Sequence, residues 1–438
     1  MTLMLFTALI VLAFCLIAFA APVGADRTTM ENLLQEQFRD DKITLAINTM
    51  DLFNETLMRT PRSVTEGLKY TTYTTTALPD NDRHSKEWDD VSTPYPSEEG
   101  LAHWNMTTGG FTIRVSYQLM QDNDGSAVNH FNHQMKLSLE GQKLTKERIW
   151  FMESTGKMAG IVSAASATSI VVDNYRLLLN KMHIDVCVGT TGVEGNGIYG
   201  AQITAITPNR DNGQGTVTLA APGLKNFAGV DTTYILVRSG EYNKLPWGLP
   251  DIITSTTNPT GGNFGTIDRT SATNDWWRAN TWDMAGAPPT PEMIELGMLE
   301  IAARFGAMPN QIWMGLYAHK NLTTGRLGDI RRTADQKQVE IWLGELVHQG
   351  VEIRAHRFIT DSDIWFINTK VIHEDYKASL GEGGEWVKND AGGRLHNMLS
   401  SGKLGVQAAY VRMCQHSCDD PRALGRMTNV AWSRLGTP

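Results

Sequence analysis

The stretch from Trp247 to Trp282, WGLPDIITSTTNPTGGNFGTIDRTSATNDWWRANTW, constrains this chain more than any other. It opens on a Gly-Leu-Pro turn and passes Ile252-Ile253. It then crosses a run of Ser, Thr, Asn, Pro and Gly to Gly265-Thr266-Ile267-Asp268-Arg269. Residues of these types form turns, because they accept unusual φ values or bond to their own backbone. The composition reads as a loop with no place of its own in a core. Yet it carries Trp247, Trp276, Trp277 and Trp282, four of the chain's twelve tryptophans. Large aromatics on a glycine-rich loop require a clamp, supplied by the same chain or by another.

A chain of 438 residues has room for two or three domains and a sizeable core. At 41% hydrophobic and 20% charged it is globular in composition, and its forty glycines favour β structure with many turns. A formal charge of −8 excludes a nucleic-acid binder that works through bulk positive charge. Four cysteines, Cys15, Cys187, Cys414 and Cys418, are no disulfide framework and point to a reducing compartment. Leu3–Ala20 opposes that reading. It is almost purely apolar, and Ala18-Phe19-Ala20 has the form of a small-x-small cleavage site, although no Lys or Arg precedes Arg27. An export signal, a membrane anchor and an apolar arm buried against neighbouring subunits all fit it.

Periodicity divides the rest. Asp26–Arg59 reads as a helix ended by Thr60-Pro61-Arg62. Tyr70–Leu78 is β-prone, Asp80–Ser97 is a polar loop, and Phe111, Ile113, Val115, Tyr117 and Leu119 alternate as a strand. The two strands around that loop are expected to pair as an extended hairpin that must lie on something else. Ala127–Met152 reads as a long helix with Val128, Phe131, Met135 and Leu139 on one stripe and Thr155-Gly156 as its end. Between 160 and 245, short runs at Ser169–Val172, Ile184–Val188, Gln202–Ile206, Thr216–Leu219 and Tyr234–Val237 predict a small inserted barrel or sandwich. Thr290 caps a helix with Pro291 at its first position, Ile294, Met298, Ile301 and Phe305 on its buried stripe, and Gly306 at its end. Ile312-Trp313-Met314 reads as a buried strand and Ala318–Thr333 as helix. Val351–Phe358 and Ile364–Ile372 read as strands paired with each other, and Leu404–Met413 as the last long strand.

No catalytic signature emerges: no Walker loop, nucleophile elbow or strand–GxGxxG–helix. Gly261-Gly262-Asn263-Phe264-Gly265 lacks the Lys-Ser/Thr of a phosphate cradle and reads as a turn. Cys414-Gln-His416-Ser-Cys418 lacks the paired spacings of a zinc site and reads as a strand end with two free thiols. His130 and His133 share a helical face, but two ligands are not a site. Glu98-Glu99 and Asp419-Asp420 read as solvated charge pairs in turns. Arg331-Arg332 forms no basic stripe. Catalytic, cofactor-binding and metal residues are therefore assigned to none. The profile favours a structural or binding protein over an enzyme. A secreted or membrane-anchored β-rich binding protein and a hydrolase with a tryptophan-lined sugar cleft are the competing readings.

Several motifs, taken in order, carry a resemblance. Gly248-Leu249, Ile252-Ile253, Gly262, Gly265-Thr266-Ile267-Asp268-Arg269 and Trp276-Trp277-Arg278 resemble a signature of tailed-bacteriophage major capsid proteins. Thr60-Pro61-Arg62 and Phe366-Ile367-Asn368-Thr369-Lys370 resemble further motifs of one branch of that family. The resemblance implies an α+β chain of the Hong Kong 97-type capsid fold with an inserted small β-barrel or sandwich. It places an N-terminal arm at 1–65 (apolar segment 3–20), an extended-loop hairpin at 66–120 and a peripheral-domain spine helix at 121–159. The inserted β module follows at 160–245, an axial domain at 246–350 and peripheral return strands at 351–438. It also implies a structural protein with no small-molecule substrate that self-assembles into hexamers and pentamers of an icosahedral head. Its partners would be portal, scaffolding and decoration proteins, with double-stranded DNA enclosed without specific binding. The place would be the virion, after assembly in the host cytoplasm. Under that reading Leu3–Ala20 is a buried arm or a start-codon extension rather than an export signal.

Overall fold

The computed structural model describes residues 62–64, 69–77, 98–116, 135, 138, 141–209, 211–254, 263–326, 346–380, 384–387, 396–397 and 405–433. The apolar segment 3–20, the helix expected at 26–59, the polar loop 80–97, His130, His133 and Arg331-Arg332 lie outside them. The described residues fall into two compact units. The smaller draws on 108–145 and 379–413, and the larger on 56–107, 146–378 and 414–438. Among the described residues, no helix is long and apolar enough to cross a membrane.

In the smaller unit, one long strand organises its neighbours. Residues 405–413 of Gly405–Cys418 pair with Glu385–Trp386, with His396–Asn397 and with the strand Thr107–Ser116. Phe111, Trp386 and Tyr410 form its aromatic cluster: Phe111 stacks on Tyr410 at 5.2 Å, and Trp386 meets both rings edge-on. The alternation at Phe111–Val115 is thus spent on this sheet. The partner of Lys69–Ala77 is instead Glu98–Asn105, which corrects the expected hairpin. Glu98-Glu99, expected in a turn, begins that strand. The physical reason is its face: Ala102 and Trp104 are buried two residues apart, so the segment alternates after an acidic start that resembles a turn.

The larger unit holds a six-stranded sheet, a closed barrel and the tryptophan stretch. The sheet runs in the order Asn280–Asp283, Gly425–Thr428, Ile364–Ile367, Gln311–Met314, Val351–Ala355, Leu346–His348. The strands at 351 and 364 do not pair with each other, contrary to expectation. Gln311–Met314 lies between them, parallel to the first and antiparallel to the second. Its four residues are buried, as a central strand covered on both faces requires. The helix Pro291–Phe305 packs on this sheet through Met293, Ile294, Met298 and Ile301, in a core shared with Ile312, Met314, Ile353, Ile364 and Phe366. Thr290 accepts a hydrogen bond from Met293 N at 3.2 Å, and Gly306 ends the helix at φ 89°. Phe305 is only half-buried. The next helix, Leu316–Arg326, covers the described part of the one expected from Ala318.

The helix that includes 141–150 stops before Thr155-Gly156, and Lys157–Ser166 is already a strand. That strand begins a closed six-stranded barrel. It continues through Ser169–Val172, His183–Val188, Ile198–Pro208 and Gly215–Leu219 to Tyr234–Arg238. Barrel, not sandwich, is therefore the form of the inserted module, and it spans 157–238. Ile161, Ile170, Val172, Ile184, Val186, Ile203, Val217 and Leu236 fill its interior.

Candidate functional site

Composition reads Trp247–Trp282 as a loop without a core. The described part makes one. Asn263–Phe264 and Ile267–Asp268 pair across Gly265-Thr266, whose φ values of 59° and 69° make a left-handed two-residue turn. Phe264 is fully buried at the centre of four groups. Trp104 meets it edge-on at 4.7 Å, Trp247 edge-on at 5.3 Å, and Trp277 tilted at 5.7 Å. The Arg269 guanidinium covers its ring at 4.2 Å. Trp277 Nε1 donates to Phe264 O at 2.7 Å, which ties the closing tryptophans to the loop's two-stranded turn.

Arg269 is the lock. It is fully buried, and among the described residues no carboxylate oxygen accepts from it. Its Nη1 and Nη2 donate to Asp251 O and Ile252 O at 2.7 and 2.8 Å, and its Nε donates to Trp277 O at 3.0 Å. Asp251 and Ile252 end the short helix Leu249–Ile252, and Trp277 ends the 3-10 helix Ala272–Trp277. One guanidinium therefore satisfies the orphan carbonyls of two helix ends, where a cation is favoured. Burial lowers its pKa to about 9, so it remains charged at neutral pH. Arg278 fixes the intervening turn by donating to Arg269 O, Thr270 O and Ser271 O. Asp275 ties the loop to the helix Pro291–Phe305 through Arg304 at 2.8 Å.

Asp251 is also fully buried. Its Oδ2 accepts from Ser154 N at 2.6 Å and from Gly248 N at 3.2 Å, and its Oδ1 has no hydrogen-bond partner among the described residues. Burial, reinforced by Glu153, pushes its carboxyl up to about 7. Gly248 is obligatory there, since a Cβ would stand 1.8 Å from Met152 O.

The clamp is supplied by the chain itself. His103 N donates to Gly265 O at 2.7 Å, and a Cβ on Gly265 would press on Ala102 and Trp104 at 3.0–3.1 Å. The hairpin's base thus sits directly on the loop's turn. Gln415 bridges the same parts, with its Nε2 donating to Asn105 O at 2.7 Å and its Oε1 accepting from Trp247 N at 2.8 Å. The His416 ring lies 3.6 Å from that of Trp150, stacked at 8°, with its Nδ1 at 2.7 Å from Trp247 O. The Cys414–Cys418 segment is therefore packing material. Its thiols are buried, and burial holds Cys418 well above the usual thiol range. Among the described residues, no group of three His, Cys, Asp or Glu is placed to hold a metal.

No protein-family model and no curated protein matches this sequence. Solved structures do. The capsid asymmetric unit of cyanophage A-1(L) superposes at a TM-score of 0.50 and 9% identity, covering 86% of this chain and 92% of that one. The chain has the Hong Kong 97-type capsid fold. Mycobacterium phage Patience gives a TM-score of 0.42 at 10% identity, over 92% of this chain and 89% of that one. The holo-SrpI encapsulin complex of Synechococcus elongatus gives 0.43 at 10% identity, over 89% and 91%. Leu296 and Leu299 on the helix Pro291–Phe305 are exposed. Sequence reasoning located the tryptophan loop but missed Arg269 as its lock and Trp104 and Gln415 as its clamp. Arg269 belongs to the Ile-Asp-Arg motif, but nothing in its spacing tells that it turns inward.

Proposed function

We propose that this chain is a major capsid protein. It would self-assemble into hexamers and pentamers of an icosahedral virion shell and enclose double-stranded DNA without gripping it. The likeness to a cyanophage capsid subunit over nearly the full length of both chains carries the reading. The hairpin supports it. Lys69–Ala77 and Glu98–Asn105 make a sheet of only two strands among the described residues, anchored at Ala102–Trp104. An isolated two-stranded ribbon is marginal in water, and its open edges invite another surface. A neighbouring copy is the natural one in a closed lattice. The charge of −8 suits a wall from which packaged DNA slides free.

On this reading residues 1–65 are the arm and 66–120 the extended loop, with the spine helix in 121–159. The axial domain would be built on the six-stranded sheet, so the strands at 351–355, 364–367 and 425–428 would belong to it together with 280–283 and 311–314, rather than to the peripheral return expected across 351–438. Portal, scaffolding and decoration proteins would be its partners, and assembly would take place in the host cytoplasm. Each contact can be modest, because many copies hold one another. Expression of the full chain followed by negative-stain microscopy tests it. Closed shells, rings or curved sheets are expected. A monodisperse monomer across the range of salt and crowding that assembles such proteins would overturn the reading.

A further inference from the structure

The barrel has two ends of different kinds. Val237 pairs with Lys157, so the chain enters and leaves the barrel at one end. The loops 166–169, 189–197 and 220–233 lie at the opposite end, because Tyr234 starts beside Val188, where its partner strand stops. That distal rim carries Val193, Tyr199 and Phe227, exposed at 58%, 49% and 43%. These are large apolar side chains at the end opposite the one where the chain enters and leaves the ladder, although Tyr242 of the exit segment reaches back to donate to Gly189 O at 2.9 Å.

The rim is a built surface. Tyr199 Oη donates to Gly192 O at 2.5 Å, and Tyr234 Oη accepts from Asn196 N at 3.0 Å. Asn196 Nδ2 donates to Gly229 O, and Asn226 N to Asn196 O, both at 3.1 Å. Gly197 is required, since a Cβ would stand 2.0 Å from Val186 O. Aromatic side chains held exposed by such a network lose little freedom on contact, which is the property of an interface anchor.

Charge selects the occupant. Glu194 and Lys225 pair on this rim, and Asp231 is exposed on the 220–233 loop. One cation against two anions does not attract a polyanion such as nucleic acid. One residue of each sign is instead self-complementary about a two-fold axis: Lys225 of one copy faces Glu194 of the other. The area fits the same occupant. Three half-exposed side chains offer on the order of a few hundred Å². A stable dimer buries about 800 Å² per partner. A contact this small persists only where many form together.

We propose that the distal rims of two barrels from neighbouring copies of this chain meet across a two-fold axis in the assembled shell. Tyr199, Phe227 and Val193 form its centre, and Glu194 and Lys225 its reciprocal charges. The inference rests on the capsid reading. The test is cryo-electron microscopy of shells of the parent chain, with assembly measured against subunit concentration for three variants. Rim-to-rim density on two-fold axes is expected. Val193→Ser/Phe227→Ser should melt with the parent yet need a subunit concentration about ten-fold higher or more to form shells. Lys225→Glu should weaken assembly as well, and Glu194→Lys with Lys225→Glu should restore it. Parent shells whose rims stand apart or rest on another protein would overturn the inference alone. So would a Val193→Ser/Phe227→Ser chain that assembles at the parent concentration. If the parent forms no assembly, the capsid reading falls, and this inference with it.

Discussion

At the scale of single residues, the tryptophan loop is held by two buried ionisable groups with unequal claims on charge. Arg269 keeps its proton because three carbonyls and the Phe264 face replace its water. Asp251 has two backbone donors on one oxygen and none on the other, and burial raises its pKa from 3.8 to about 7. The sign follows from the unfolded chain, which releases this proton near pH 4 while the folded chain holds it until near pH 7. Stability from this group is complete below pH 4 and is lost as pH rises to 7, at roughly 1.4 kcal/mol per pH unit. Asp251→Asn removes the titration and keeps an oxygen to accept from Ser154 N and Gly248 N, with an amide to offer Ser154 Oγ. Denaturant unfolding at acid and alkaline pH should show the variant gaining on the parent as pH rises through that window. Parallel pH profiles would show that Asp251 is ionised throughout.

At the scale of elements, the sequence was most legible where one element explains its own pattern. The helix from Thr290 to Gly306 carries its cap, its first-position proline and its terminal glycine, and each is where local chemistry puts it. The barrel strands were visible because turn residues separate short alternating runs. Partner choice was not visible. Gln311–Met314 and Ile364–Ile367 are both short and buried throughout, so nothing in either names its neighbour. Phe111–Val115 alternates as well against Gly405–Cys418 as it would in a hairpin. The loop's burial was half legible. Its tryptophans required a clamp, but the clamp lies more than a hundred residues away on both sides, at Trp104 and Gln415. This makes Trp277 an anchor of the whole loop. Trp277→Ala should cost about 3–5 kcal/mol in subunit unfolding, and shells should fail with it. Trp277→Phe keeps a ring in place but leaves part of the indole's volume empty and loses the bond to Phe264 O, so it should cost about 2–3 kcal/mol, less than the alanine variant. Equal unfolding midpoints for parent and Trp277→Ala would refute the anchoring role.

At the scale of the whole molecule, a capsid fold with a closed barrel inserted in it raises the question of whether the barrel is a separate folding unit. Its ends answer in geometry: the strands that begin at Lys157 and end at Arg238 are hydrogen-bonded neighbours, so a short linker could replace everything between them. Its strands close on themselves and leave no edge, and its interior is buried by its own residues. Against this stand its ties to the rest of the larger unit. Arg176 pairs with Asp361 and reaches Arg357 O and Ile359 O, and Arg148 Nη1 donates to Leu177 O at 3.1 Å. Those ties lie in the loop 173–182, at the attached end, and cross none of the ladder. Residues 157–238 expressed alone should therefore fold cooperatively, with dispersed amide resonances, but melt below the barrel in the full chain because Arg176 and Leu177 have lost their partners. The chain with 157–238 replaced by a short Gly-Ser linker should keep its sheet and its tryptophan loop, since neither draws a strand from the barrel. An excised module with collapsed amide dispersion would show instead that the barrel depends on Asp361 and the helix at 141–150 for its fold. The insertion would then be part of the subunit's core, and the rim contact and the subunit's stability could not be varied independently.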